Sequence, residues 1–156
     1  MRTYSNALAE RINTILTDDD WRFDFDDENG VFRFGIGGIK QMRNLSCQVI
    51  VGENFFTIYA ICPVNADMEE TCRRNEMMEF VCRTNYGLRM GNFELDVTDG
   101  EIRFKVHTVS NNGQIVAEDL IKPLACAAAM YDRYAEGFFG IIFKDYTAEE
   151  AIRLCE

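Results

Sequence analysis

The chain's single histidine, His107, and its six cysteines are the residues whose types could support nucleophilic or metal chemistry. The cysteines, Cys47, Cys62, Cys72, Cys82, Cys126 and Cys155, are scattered and form no C-x-x-C pair. A zinc site would have to be assembled from distant elements around His107, and a Cys-His nucleophile would need the same convergence. Reduced thiols acting as small apolar residues are the simpler reading. Asp24, Asp26 and Glu28 alternate as the start of a calcium loop does. Counted from Asp24, however, the sixth position is Asn29 where glycine is needed, and the twelfth is Gly35 where a bidentate glutamate belongs. They read as solvated acids beside a turn. Gly35, Gly37 and Gly38 do not make a G-x-G-x-x-G run, and no phosphate loop is present. The expectation is a non-enzymatic chain with no cofactor and no metal.

Two other residue groups suit binding. Met42, Met68, Met77, Met78, Met90 and Met130 carry flexible thioethers, which fill cores and also serve adaptable surfaces. Phe138, Phe139, Ile141, Ile142 and Phe143 concentrate apolar surface at one helix end. Their default use is to pack a sheet, and a surplus would form a dimer or partner surface.

These residues must be placed by a series of elements. Leu8, Ile12, Ile15 and Leu16 have helical spacing, from a start near Ser5 to the Asp18-Asp19-Asp20 run. Trp21, Phe23 and Phe25 alternate with polar residues, and Phe32 and Phe34 resume the alternation after a DENG turn, which predicts a hairpin. The glycines at 35, 37 and 38 mark a bend or bulge before a polar loop, where Lys40 and Arg43 make a local basic spot. Leu45 to Val51 alternates. FFTIYAIC is apolar almost throughout, as expected of a central strand or one covered on both faces, and Pro63 ends it.

Asp67 and Glu70 form a capping box that predicts a helix start there, with Gly87 as its left-handed stop. Asn92 to His107 predicts two strands joined by a two-residue Asp99-Gly100 turn. That register faces Val97 with Ile102, Leu95 with Phe104 and Phe93 with Val106 on the core side. On the wet side it faces Asp96 with Arg103, Glu94 with Lys105 and Asn92 with His107. A long helix follows with a buried stripe of Leu120, Leu124, Ala127, Tyr131, Tyr134 and Phe138. Its regular part starts only near Pro123, or else Asp119 to Lys122 is an irregular first turn. Thr147 and Glu150 cap a short final helix that ends at Cys155.

The order is therefore α-β-β-β-β-α-β-β-α plus a short C-terminal helix, an α+β chain with an antiparallel sheet. The 156 residues suit one domain spanning 1–156, enough to bury about 70% of the unfolded surface. With 26 acidic against 16 basic residues the net charge is -10, which disfavours phosphate backbones and anionic lipid. Lys40 and Arg43 are too few to reverse that. A basic partner surface, or plain solubility, fits the balance. The first residues lack the apolar core of a signal peptide and no run approaches membrane-spanning length, so a cytoplasmic location is expected.

Taken together, Asn85, the Gly91 to Asp96 segment, Asp99 to Phe104, the aromatic helix end from Tyr131 to Phe139 and the Thr147 to Ile152 tail resemble the YbjN domain family, of the type III secretion chaperone-like fold. The resemblance spans almost the whole chain and carries no catalytic signature. It implies a sheet with helices packed on one side, frequent homodimers and a role in binding or regulation. The expected function is a protein-binding, chaperone-like or regulatory module acting as a homodimer on a protein or peptide partner. The alternative is a small-molecule sensor or small enzyme, which would require His107, a cysteine and a carboxylate to converge in a cleft.

Overall fold

The computed structural model describes residues 3–156. It contains α1 (Asn6–Asp18), β1 (Asp24–Asp26), β2 (Val31–Ile39), β3 (Arg43–Val51), β4 (Phe55–Ile61), α2 (Thr71–Asn85), β5 (Asn92–Leu95), β6 (Ile102–Val109), α3 (Ala117–Lys144) and α4 (Ala148–Cys155). The expected α+β class and element order are those of the structure. The strands form one six-stranded sheet in the order β1-β2-β3-β4-β6-β5, with every pair antiparallel.

Alternation sorts each strand into an inner and an outer face. One inner row runs Phe32, Val49, Ile58, Val106, and the next runs Phe34, Cys47, Ala60, Phe104, Phe93; all nine are buried. The helices pack against this face. α1 contributes Leu8, Ala9, Ile12, Ile15 and Leu16, starting where Ser5 Oγ accepts the Leu8 N–H at 3.2 Å. α3 contributes the whole expected stripe from Leu120 to Phe138. Phe93 is the hub of the core. Its ring meets Phe104, Tyr131, Tyr134 and Phe138 at centroid distances of 4.9, 5.3, 5.8 and 5.0 Å, all edge-on. Tyr131 is buried, and its hydroxyl lies 2.9 Å from the Ala60 carbonyl oxygen and 3.3 Å from that of Ile102, so the one polar atom it carries inward is satisfied.

Four local expectations need correction. First, β5 and β6 pair as Phe93 with Phe104, Glu94 with Arg103 and Leu95 with Ile102, two residues away from the register of a two-residue turn. The loop is longer because Asp96 and Asp99 carboxylates accept the N–H groups of Thr98 and Glu101, while the Gly100 N–H donates to the Asp96 carbonyl at 2.8 Å. The loop also docks on the segment after β4, through Ala66 N–H to the Gly100 carbonyl at 2.8 Å. Only glycine fits at 100, since φ is +80° and a Cβ would lie 2.0 Å from the Ala66 carbonyl oxygen. A shift of two preserves which face each side chain takes, so Phe93 and Phe104 stay inside, but Val97 moves into the loop and is exposed.

Second, Asp67 accepts from Glu69 and Glu70 N–H in a turn that precedes α2, and the helix cap is Glu70, whose carboxylate accepts from Cys72 and Arg73 N–H. Third, Trp21 and Phe23 precede the strand and only Asp24–Asp26 pairs with β2, although both aromatic rings still pack, on Phe34 and Phe32. Fourth, α3 begins at Ala117 and contains Pro123. Burial of Leu120, Pro123 and Leu124 offsets the roughly 3 kcal/mol cost of an interior proline.

Candidate functional site

The outer face of the sheet is left without a helix, and the register lays its side chains in three rows. The middle row is Arg33, Gln48, Tyr59, Lys105 and Asn92. One neighbouring row is Gly35, Ser46, Ile61, Arg103 and Glu94, and the other is Val31, Ile50, Thr57 and His107. Charge is organised across them. Glu94 on β5 accepts from Arg103 Nε at 2.8 Å and from Lys105 Nζ at 2.6 Å. Partial burial pushes the Glu94 carboxyl up, but the two cations outweigh it and hold it below its ordinary range. The Arg103 guanidinium lies 4.2 Å from the centroid of the Tyr59 ring, over its face. On the other flank Arg33 reaches Asp26 at 3.4 Å.

Between the charged flanks the two central strands present a neutral strip. Ile50, Tyr59 and Ile61 are half-buried, with no helix over them. Among the described residues, the Ser46 hydroxyl, the Gln48 amide and the Tyr59 hydroxyl form no hydrogen bond to another protein group, so their donors and acceptors are open to an incoming chain. At one end Phe55 lies over Gly52 and against the His107 ring at 4.9 Å. His107 Nδ1 is 3.0 Å from Thr57 Oγ1. It faces Thr57 on β4, while on the other side the shifted β5–β6 register sets Asn92 opposite Lys105 and not opposite His107. Neither a cysteine nor a carboxylate is paired with the His107 side chain among the described residues, and no group of three or more His, Cys, Asp or Glu is placed to hold a metal ion among them. Both Cys47 and Cys62 are buried in the core, and burial pushes the Cys47 thiol up to about 12 and the Cys62 thiol up to about 11, which disfavours the thiolate at both. Cys72 and Cys82 are exposed on α2, and Cys126 and Cys155 are half-buried.

The two sheet edges differ. On β5 the side chain of Asn85 imitates a neighbouring strand: its Oδ1 accepts the Phe93 N–H at 2.7 Å and its Nδ2 donates to the Phe93 carbonyl at 2.9 Å. On β1, among the described residues, no strand or helix backbone pairs with the outer side.

The aromatic helix end is split by its own helical phase. Phe138, Ile141 and Ile142 are buried in the chain's core and present no free surface, which corrects the expectation for those three. Phe139 is half-buried and Phe143 is 63% exposed, their rings 5.8 Å apart. Of the methionines, Met42 and Met77 are core residues, whereas Met78 and Met90 are exposed. The sequence pattern assigns Glu94, Arg103 and Lys105 to the wet face but not the β3–β4 strip, because a central strand that is apolar at nearly every position does not show which of its residues face outward.

Comparison with known proteins agrees with this architecture. Residues 8–140 match the YbjN family, described as "Putative bacterial sensory transduction regulator". Among solved structures, the chain is similar to "YbjN, a putative transcription regulator from E. coli", with a TM-score of 0.58 and 9% identity over 87% of this chain and 89% of that one. At that identity the likeness speaks for the fold alone. A comparison with curated proteins gives no match. No helix among the described residues is long and apolar enough to cross a membrane.

Proposed function

The chain belongs to the YbjN family, and from that premise we propose that it is a non-enzymatic regulatory module that acts by holding a partner polypeptide against the open face of its sheet. One observation carries the reading. The strip over β3 and β4 combines half-buried apolar side chains with the Ser46, Gln48 and Tyr59 polar groups that lack partners, flanked by fixed charges. Apolar area supplies affinity on such a surface, and open hydrogen-bonding groups supply orientation. The family's description as sensory transduction regulators supports a role exerted through a partner. We place the protein in the cytoplasm, and Phe139 and Phe143 are the remaining candidates for a homodimer contact.

The test is capture of partners from the native cell extract with the tagged protein, beside a Ser46→Arg, Gln48→Arg double variant and a separate Phe143→Asp variant. Both strand positions lack side-chain partners, so the double variant should fold normally. The expected result is a partner held by the parent and by Phe143→Asp but lost from the double variant. A partner retained by the double variant removes the open face from the proposal. An extract from which the parent enriches nothing counts against polypeptide binding.

A further inference from the structure

Strand edges attract other strands, and among the described residues one edge of this sheet is closed while the other has no strand beside it. Asn85 occupies the hydrogen-bonding groups of Phe93 on β5, as a further strand would. On β1 the outer edge borders a groove against α1, whose lining includes Tyr4, Asn6, Ala9, Glu10, Asn13 and Phe25. Among the described residues the groove lining includes one carboxylate and no cation. The segment carrying this edge is the most acidic in the chain: seven of the eleven residues from Asp18 to Glu28 are carboxylates, with Arg22 the one cation among them. The alternation on β1 is also informative. Phe25 stacks on Phe32 at 4.3 Å and so belongs to the inner face, while Asp24 and Asp26 point to the outer face beside Arg33 and Val31. Arg33 is shared with Asp26, and Asp24 makes no ion pair among the described residues.

We propose that the β1 edge takes an extended polypeptide segment in which basic and apolar residues alternate. Basic side chains face Asp24 and Asp26, and apolar ones enter the groove beside Phe25. Strand addition supplies main-chain hydrogen bonds, and the carboxylates select the partner's charge. The same carboxylates repel a second copy of this edge, since antiparallel pairing of two β1 strands would oppose acid to acid. The inference rests on the polypeptide-binding reading above and adds to it a place and a partner chemistry.

The experiment is a titration of the isotope-labelled chain with a short peptide of alternating lysine and valine, followed by amide chemical shifts, beside its glutamate-valine counterpart. A second series uses the Asp24→Asn, Asp26→Asn variant. Asparagine at 26 keeps an oxygen for the Asn29 N–H but gives up the second oxygen that holds Asn29 Nδ2 and Arg33, so Asp24→Asn alone, at a carboxylate that holds nothing else among the described residues, is titrated beside it. The expected outcome is that the lysine peptide shifts amides of residues 22–28 and of the groove side of α1, that salt weakens it, and that the variant binds about tenfold more weakly, as two exposed ion pairs allow. Equal binding of the two peptides, or undiminished binding by the variant, overturns the charge assignment. Absence of binding overturns the proposal outright and leaves the carboxylates as a shield for the edge. A lysine peptide that instead shifts Ser46, Gln48 and Tyr59 overturns the edge assignment and leaves binding on the open face intact.

Discussion

At the residue scale, Asn85 does more for the fold than its position at a helix end suggests. Its amide satisfies both backbone groups of Phe93, the residue whose ring forms the hub of the aromatic core. Asn85→Ala leaves the partly buried Phe93 N–H without a partner and its carbonyl with only Asn92 Nδ2 at 3.2 Å, and is expected to cost about 1–3 kcal/mol in urea unfolding. Asn85→Asp keeps the acceptor but sets a carboxylate oxygen against the Phe93 carbonyl, so it should not restore stability. If both variants unfold at the parent's urea midpoint, the side chain is not holding the edge. The sequence marks Asn85 as part of a family pattern without revealing its partner, because a bond between a helix end and a strand eight residues on follows from tertiary placement and not from local propensity.

At the element scale, the β5–β6 hairpin tests how a register is set. The two-residue turn is the locally favoured solution for Asp99-Gly100, and it would bury Val97 against Ile102. The observed loop has tertiary support that local rules do not include, namely the docking of Gly100 on Ala66 and of Asp99 on Asn65. The two registers separate by mutation. Val97→Asp is expected to change stability by no more than about 0.5 kcal/mol, since Val97 is 57% exposed. Phe93→Ala should cost about 3–5 kcal/mol. A large loss from Val97→Asp would restore the shorter turn. The same contrast explains what was legible elsewhere. Strong periodicity and local caps make α1, α4 and the α3 stripe legible, since Ser5 and Thr147 act within a single turn of their helices. The start of α2 is not legible in the pattern, because Asp67 and Glu70 can cap two successive turns and nothing local tells which one continues. The wet side of β5 and β6 is legible from its charges, whereas the strip on β3 and β4 is not, because knowing which side of β4 is covered requires knowing where all the helices go.

At the scale of the whole molecule, α3 decides which apolar residues remain for assembly. Its last turns carry five large apolar side chains, and the 3.6-residue period directs Phe138, Ile141 and Ile142 into the core while Phe143 and part of Phe139 stay outside. A contact built on them between two copies would be two-fold, each Phe143 meeting the same patch on its partner. It would also bring together two chains of net charge -10, so salt should strengthen the association by screening their repulsion. Sedimentation analysis of the parent chain is expected to show a dimer that tightens with salt, and Phe143→Asp a monomer whose unfolding midpoint is unchanged because the side chain is exposed. Ile142→Asp provides the contrast. That residue is 9% exposed, so a carboxylate there is buried without a partner and should unfold the chain before it reports on assembly. A parent that sediments as a monomer at every salt concentration, or a Phe143→Asp chain that remains dimeric, would exclude the helix end as the contact between copies. The exposed phenylalanine would then need a different occupant.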